Sequence, residues 1–208
     1  MTNNYRLYGR RSSGSFAVQV ALEQIGAPFE LVWIGSEESE VAGYREVCPT
    51  GRVPALILPD GTLMFESAAM LIHLAHAHPE ARLAPPPGTS QHAKFLQWMV
   101  FMSANLYESV LRIYYSDRYT SRGQADAAVV RARGLQDFEA HLDIVSRDLA
   151  PYLLGAEYSI ADVYLSMLVA WHPDGREALF TRLPALKRHA DSLSTDRVLS
   201  KVESEHAT

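Results

Sequence analysis

A single cysteine, Cys48, is the only thiol in this 208-residue chain. That excludes any disulfide within the chain and argues for a reducing compartment. Long apolar runs are also missing. None approaches the roughly 18 residues needed to cross a bilayer, and the stretch from Met1 to Arg11 lacks the apolar core of a secretory signal. There is no dense Lys/Arg run, and the net charge is −5, which argues against a dedicated nucleic-acid binder. No serine is flanked as a nucleophile elbow, and there is no glycine-rich phosphate loop and no Cys-x-x-Cys pair. His73, His76 and His78 stand close together, but a metal would need further ligands that the sequence does not supply. Histidines gathered at a helix C-terminus are the simpler reading. Together these absences predict a cytoplasmic protein that uses no metal and binds neither membrane nor nucleic acid.

Apolar residues make up 48% of the chain and charged residues 21%, an ordinary globular composition with enough apolar mass for one large domain or two small ones. Residues 5–8, Tyr-Arg-Leu-Tyr, suit a strand, and a turn-rich loop with several serines follows. Apolar residues at helical spacing (Val18, Ala21, Leu22, Ile25) predict a helix from Phe16 that Gly26 stops. Phe29 to Ile34 reads as a second strand, and residues 35–50, polar and acidic, as a loop with a weak helical turn. Ala55–Leu58 and Thr62–Phe65 flank the turn Pro59-Asp60-Gly61 as a hairpin, and a helix follows from Ser67 to Ala77. A βαβ unit followed by a hairpin makes a small mixed sheet.

Residues 80–90, with Pro85-Pro86-Pro87-Gly88, read as a linker between a domain over 1–79 and an all-helical one over 91–208. Helical periods run over 92–118 and 124–149. Ser159 and Asp162 have the spacing of a capping box opening a third helix, and Leu183-Pro184 introduces a last one over 185–194. The Trp98, Met99, Met102 and Leu106 stripe reads as core, and Cys48, which precedes a proline, as a structural thiol.

The proline in Gly51-Arg52-Val53-Pro54-Ala55-Leu56 sits at the mouth of an apolar strand, where it has no N–H to give to a ladder. Spacing alone leaves two readings: a cis bond that turns the Val53 backbone toward a ligand, or a plain strand-opening residue.

From Tyr5-Arg6-Leu7-Tyr8 through Pro28-Phe29-Glu30, Pro49-Thr50-Gly51-Arg52-Val53-Pro54-Ala55-Leu56 and Phe65-Glu66-Ser67 to Ser159-Ile160-Ala161-Asp162, the chain resembles a cytosolic glutathione S-transferase over nearly its whole length. The resemblance implies an α/β thioredoxin-like N-terminal domain with an all-α C-terminal domain, a cis Val53–Pro54 bond and a cytoplasmic homodimer acting in detoxification. Glutathione would be the co-substrate. Val53 would pair with its cysteinyl backbone, with Pro54 setting the turn. Ser67 would hold the γ-glutamyl carboxylate, Glu66 would face the ammonium and Arg52 would reach a carboxylate.

The resemblance also implies a thiolate-stabilising group in the loop after the first strand. Ser12 matches the catalytic serine of the theta and zeta classes, with Ser13 as the alternative and an N-cap as the plain reading. Gly14 and Ala17 replace the zeta-class Cys and Arg. The beta-class cysteine would fall on Gly14, and that class's His-Lys pair on Tyr107 and Glu108, so a serine-type subclass other than beta is expected. The electrophile pocket is expected to draw on Met102, Tyr107, Leu111 and Tyr114. The rival readings are a non-catalytic member that binds partners and a glutathione-dependent isomerase or dehalogenase.

Overall fold

The computed structural model describes residues 4–35 and 38–207. By internal contacts the chain divides into two compact units. One comprises residues up to Ala84 together with those from Ser194 onward, and the other runs from Pro85 to Leu193.

The first unit is built on a four-stranded sheet in the order β2-β1-β3-β4. β1 (Tyr5–Gly9) runs parallel to β2 (Phe29–Trp33) through the helix α1 (Ser15–Ile25). β3 (Ala55–Ile57) and β4 (Leu63–Phe65) form the antiparallel hairpin, and β3 pairs with β1. Gly26, at φ +66°, ends α1 in the left-handed conformation, and its N–H donates to the Glu23 carbonyl. Alternation along the strands gives the sheet two buried faces. Tyr8 and Ala55 pack against Tyr44 and Cys48 on one face. Leu7 and Leu56, both fully buried, point to the other, where α1 packs against α3 (Ser67–Ala77).

Two elements depart from the sequence expectation. The stretch 35–50 contains a helix, α2 (Glu38–Val47), while residues 36–37 lie outside the described residues. Tyr44 and Cys48, one turn apart, bury their side chains against the sheet, and this packing outweighs an acidic composition that gives little helical signal by itself. The helix over 185–194 is also not the last. After it comes α10 (Arg197–Ala207), which packs on α1 within the first unit, so the second unit ends at Leu193. The His206 ring lies edge-on to Phe16 and Trp33, Gln19 hydrogen-bonds both His206 and Glu205, and Lys201 pairs with Glu23.

The second unit is helical throughout: α4 (Ser90–Phe101), α5 (Glu108–Tyr114), α6 (Gln124–Ser146), α7 (Ile160–Ala170), α8 (Gly175–Arg182) and α9 (Pro184–Leu193). A turn of π-helix, Met102–Tyr107, joins α4 to α5. Ser159 and Asp162 make the capping box at the start of α7. Asp162, fully buried, also accepts the Leu153 N–H at 2.8 Å and lies 3.1 Å from His189 Nε2. No described helix is long and apolar enough to cross a membrane.

Candidate functional site

Strand register brings the candidate residues of the first unit to one end of the sheet. Tyr8 lies opposite Ala55, so the loop leaving β1 through Gly9 emerges beside Val53 and Pro54, which precede β3. Ala55 in turn lies opposite Phe65, so Glu66 and Ser67 leave β4 at the same end. Neighbouring strands lie about 4.8 Å apart, so the three segments are adjacent. Both α1 and α3 start here, and their N-terminal N–H groups make this end favourable for anions. The Val53–Pro54 bond is cis, and a second cis bond, Ala150–Pro151, lies in the helical unit.

Backbone conformation marks the same place. Among the described residues three non-glycine positions have positive φ: Ser12 (52°), Glu66 (73°) and Arg82 (54°). Residues with a Cβ pay a steric cost there, and such strain concentrates where structure serves a ligand. Two of the three are candidate site residues.

The serine loop is wired to its own backbone. The Ser13 hydroxyl donates to the Arg10 carbonyl at 2.7 Å and lies 2.9 Å from the Ser15 hydroxyl. Ser15, fully buried, reaches the same carbonyl at 3.0 Å and accepts the Arg10 N–H. The Arg10 guanidinium donates to the carbonyls of Ile34 and Gly35 and so straps the loop to the end of β2. Among the described residues the exposed Ser12 hydroxyl has no hydrogen-bond partner in the chain. Arg52 is exposed, Val53 half-buried and Ser67 buried at the first position of α3.

Two residues of this end went unremarked in the sequence. One is Arg10. The other is Tyr44, whose hydroxyl donates to the Arg52 carbonyl at 2.9 Å. Burial, reinforced by a hydrogen bond with Cys48, drives the Tyr44 phenol far above its ordinary value, so it stays protonated and donating. The opposite end of the sheet carries a cleft of about 230 Å³ lined by Tyr5, Arg6, Glu30 and Asp60, and none of the candidate residues lines it.

The residues expected to form an electrophile pocket divide by exposure. Met102 is fully buried and presents no surface to a ligand, because the helical period sets it in the core with Met99 and Leu106. Tyr107 is half-buried, its ring 5.4 Å from Trp171 and 6.5 Å from Tyr164. Leu111 is half-buried, and Tyr114, 51% exposed, donates to the Trp171 carbonyl. His78, one of the clustered histidines, bonds Tyr5 and faces Glu80. Among the described residues no group of three or more His, Cys, Asp or Glu side chains is placed to hold a metal.

A four-stranded mixed sheet flanked by helices, with a cis-proline opening its third strand and an all-helical unit after it, defines a thioredoxin-like domain joined to a helical domain. The family profile described as "Glutathione S-transferase, N-terminal domain" matches residues 12–77, within the first unit, and the whole chain has the glutathione S-transferase fold. A glutathione transferase homologue from Sulfitobacter, solved with bound glutathione, is 26% identical at a TM-score of 0.88, covering 98% of each chain. The glutathione S-transferase GstA of Escherichia coli O157:H7 is 27% identical over 171 residues, 80% of this chain and 81% of that protein. The beta-class transferase of Sphingomonas chungbukensis, at 22% identity, shares the fold with a TM-score of 0.80, so the fold itself does not separate this chain from the beta class.

Proposed function

We propose that the chain is a glutathione transferase of serine type, in which the end of the sheet described above holds glutathione and activates its thiol. The observation that supports this reading is that Ser12 and Glu66, both non-glycine residues at positive φ, lie at the same end of the sheet, where α1 and α3 begin. In this reading the Val53 backbone pairs with the cysteinyl residue as an added strand would. Ser67, at the start of α3, holds the γ-glutamyl carboxylate, Glu66 faces the ammonium and Arg52 reaches a carboxylate.

Glutathione's thiol titrates near about 8.5 when free, so only a few per cent is thiolate at neutral pH. Lowering that value by about two units takes about 2.7 kcal/mol, within reach of one charge-assisted hydrogen bond and a helix N-terminus. The Ser12 hydroxyl, uncommitted among the described residues, is the donor this reading assigns. Ser13 is the weaker candidate because its proton already goes to the Arg10 carbonyl. The thiol proton passes to solvent, and a sulfur lone pair forms the carbon–sulfur bond to a small hydrophobic electrophile. The leaving group departs with its bonding pair, or in an addition a solvent proton completes the product. Tyr107, Leu111 and Tyr114 remain the residues assigned to that second substrate.

The reading includes a cytoplasmic homodimer that removes electrophiles. Phe65, 46% exposed at the end of β4, is an apolar side chain that a second copy would cover. The test is retention on immobilised glutathione together with conjugation of a chloronitrobenzene. Protein that passes the column unretained contradicts the proposal.

A further inference from the structure

The loop that carries Val53 is fixed by a side chain of α2 and by the residue that follows the helix. Tyr44, 4% exposed, donates its hydroxyl to the Arg52 carbonyl at 2.9 Å, and Cys48 Sγ, fully buried, lies 3.8 Å from the same oxygen. The turn is closed on itself as well. The Gly51 N–H donates to the Cys48 carbonyl, and the Thr50 hydroxyl accepts the Arg52 N–H and lies 3.2 Å from Cys48 Sγ. The Tyr44 ring stacks at an angle on Tyr8, 5.7 Å between centroids, so α2 and β1 hold the phenol in place.

The Arg52 carbonyl and the Val53 N–H belong to one planar trans peptide unit, in which C=O and N–H point in opposite directions. Holding the carbonyl inward therefore turns the Val53 N–H outward. We propose that Tyr44 is a positioning residue for glutathione: its hydroxyl, by anchoring the Arg52 carbonyl, aims the Val53 N–H at the cysteinyl carbonyl of the ligand. This rests on the reading of Val53 as the backbone partner of glutathione. Tyr44 itself touches no substrate, and its effect passes through a single peptide plane.

The test is calorimetric titration of glutathione, and of an isostere whose cysteinyl carbonyl is replaced by methylene, into the wild-type protein, Tyr44→Phe and Cys48→Ala. Tyr44→Phe keeps the ring on Tyr8 and removes only the hydroxyl. Wild-type protein binds glutathione about tenfold tighter than the isostere. In Tyr44→Phe glutathione binding weakens about fivefold and isostere binding does not, while kcat stays within about twofold. Cys48→Ala, which removes the long sulfur contact to the same carbonyl but keeps the phenol that anchors it, preserves the discrimination. Equal weakening of both ligands by Tyr44→Phe, no change in either, or an equal loss of discrimination in Cys48→Ala overturns the proposal. Wild-type protein that binds neither ligand refutes the glutathione reading itself, and the proposal with it. Wild-type protein that binds both equally refutes the Val53 contact and the proposal built on it, and leaves glutathione binding itself standing.

Discussion

Gly9 ends β1 so close to Ser15 that a β-carbon on the glycine would lie 2.7 Å from the serine hydroxyl oxygen. Ser15 is fully buried and shares the Arg10 carbonyl with Ser13, so it has no room to retreat without moving the loop. Gly9→Ala is expected to displace the serine loop and lower kcat for glutathione conjugation at least about tenfold, because small misplacements near a reacting group are costly. Steady-state kinetics at saturating glutathione provides the check.

The two serines of the loop make separable contributions. Ser12→Ala removes the hydroxyl assigned to the thiolate, so kcat/KM is expected to fall at least about tenfold with glutathione binding nearly intact. Ser13→Ala removes one of the two hydroxyls on the Arg10 carbonyl, leaving Ser15 on it and the Ser12 donor in place, so its effect stays within about threefold. Kinetics of both variants, with glutathione affinity measured separately, decides between them.

Much of this arrangement could be read from residues at fixed offsets. Gly26 as a helix stop, Pro59-Asp60-Gly61 as a hairpin turn and Ser159 with Asp162 as a capping box each follow from local chemistry. The order of the strands then brings the serine loop, Val53 and Glu66 together. α2 was illegible because an acidic stretch containing Gly43 becomes a helix only when Tyr44 and Cys48 find Tyr8 and Ala55. α10 had a signal in Leu199, Val202 and His206, whose spacing places them on one face, all now buried, amid a charged sequence that masked it. The Tyr44 link to Arg52 had no signal at all, since a hydroxyl-to-carbonyl bond depends on the path of the loop.

In the helical unit the load falls on Asp162. It accepts from Ser159 and Leu153 and faces His189, all in buried surroundings. Asp162→Ala leaves two buried N–H groups and an imidazole without their acceptor, a loss of about 3 kcal/mol or more. Thermal unfolding is expected to fall by about 6–12 °C. Ser159→Ala, which removes only a capping hydroxyl, costs about 1 kcal/mol.

The docking of α10 on α1 is expected to depend on pH. Burial pushes the His206 imidazole below its ordinary value; Glu205 opposes the shift and Arg11 adds to it. The unfolded imidazole takes its proton near about pH 6.5, and the folded one only at lower pH. Between those values the unfolded state binds more protons, so stability is full above about 6.5 and declines as pH falls toward the folded value. Hydrogen exchange of the α10 amides at about pH 7.5 and 5.5 should show this loss in the wild type and not in His206→Gln. Whole-chain melting is the poorer readout, because burial lowers His141 in the helical unit in the same direction.

The most direct test of the account is titration of the thiol of glutathione bound to the wild-type protein, followed by thiolate absorbance against pH. Activation at the serine loop predicts ionisation about two units below the free value of about 8.5, and a return toward that value in Ser12→Ala. Bound glutathione that ionises near the free value in the wild type would contradict it.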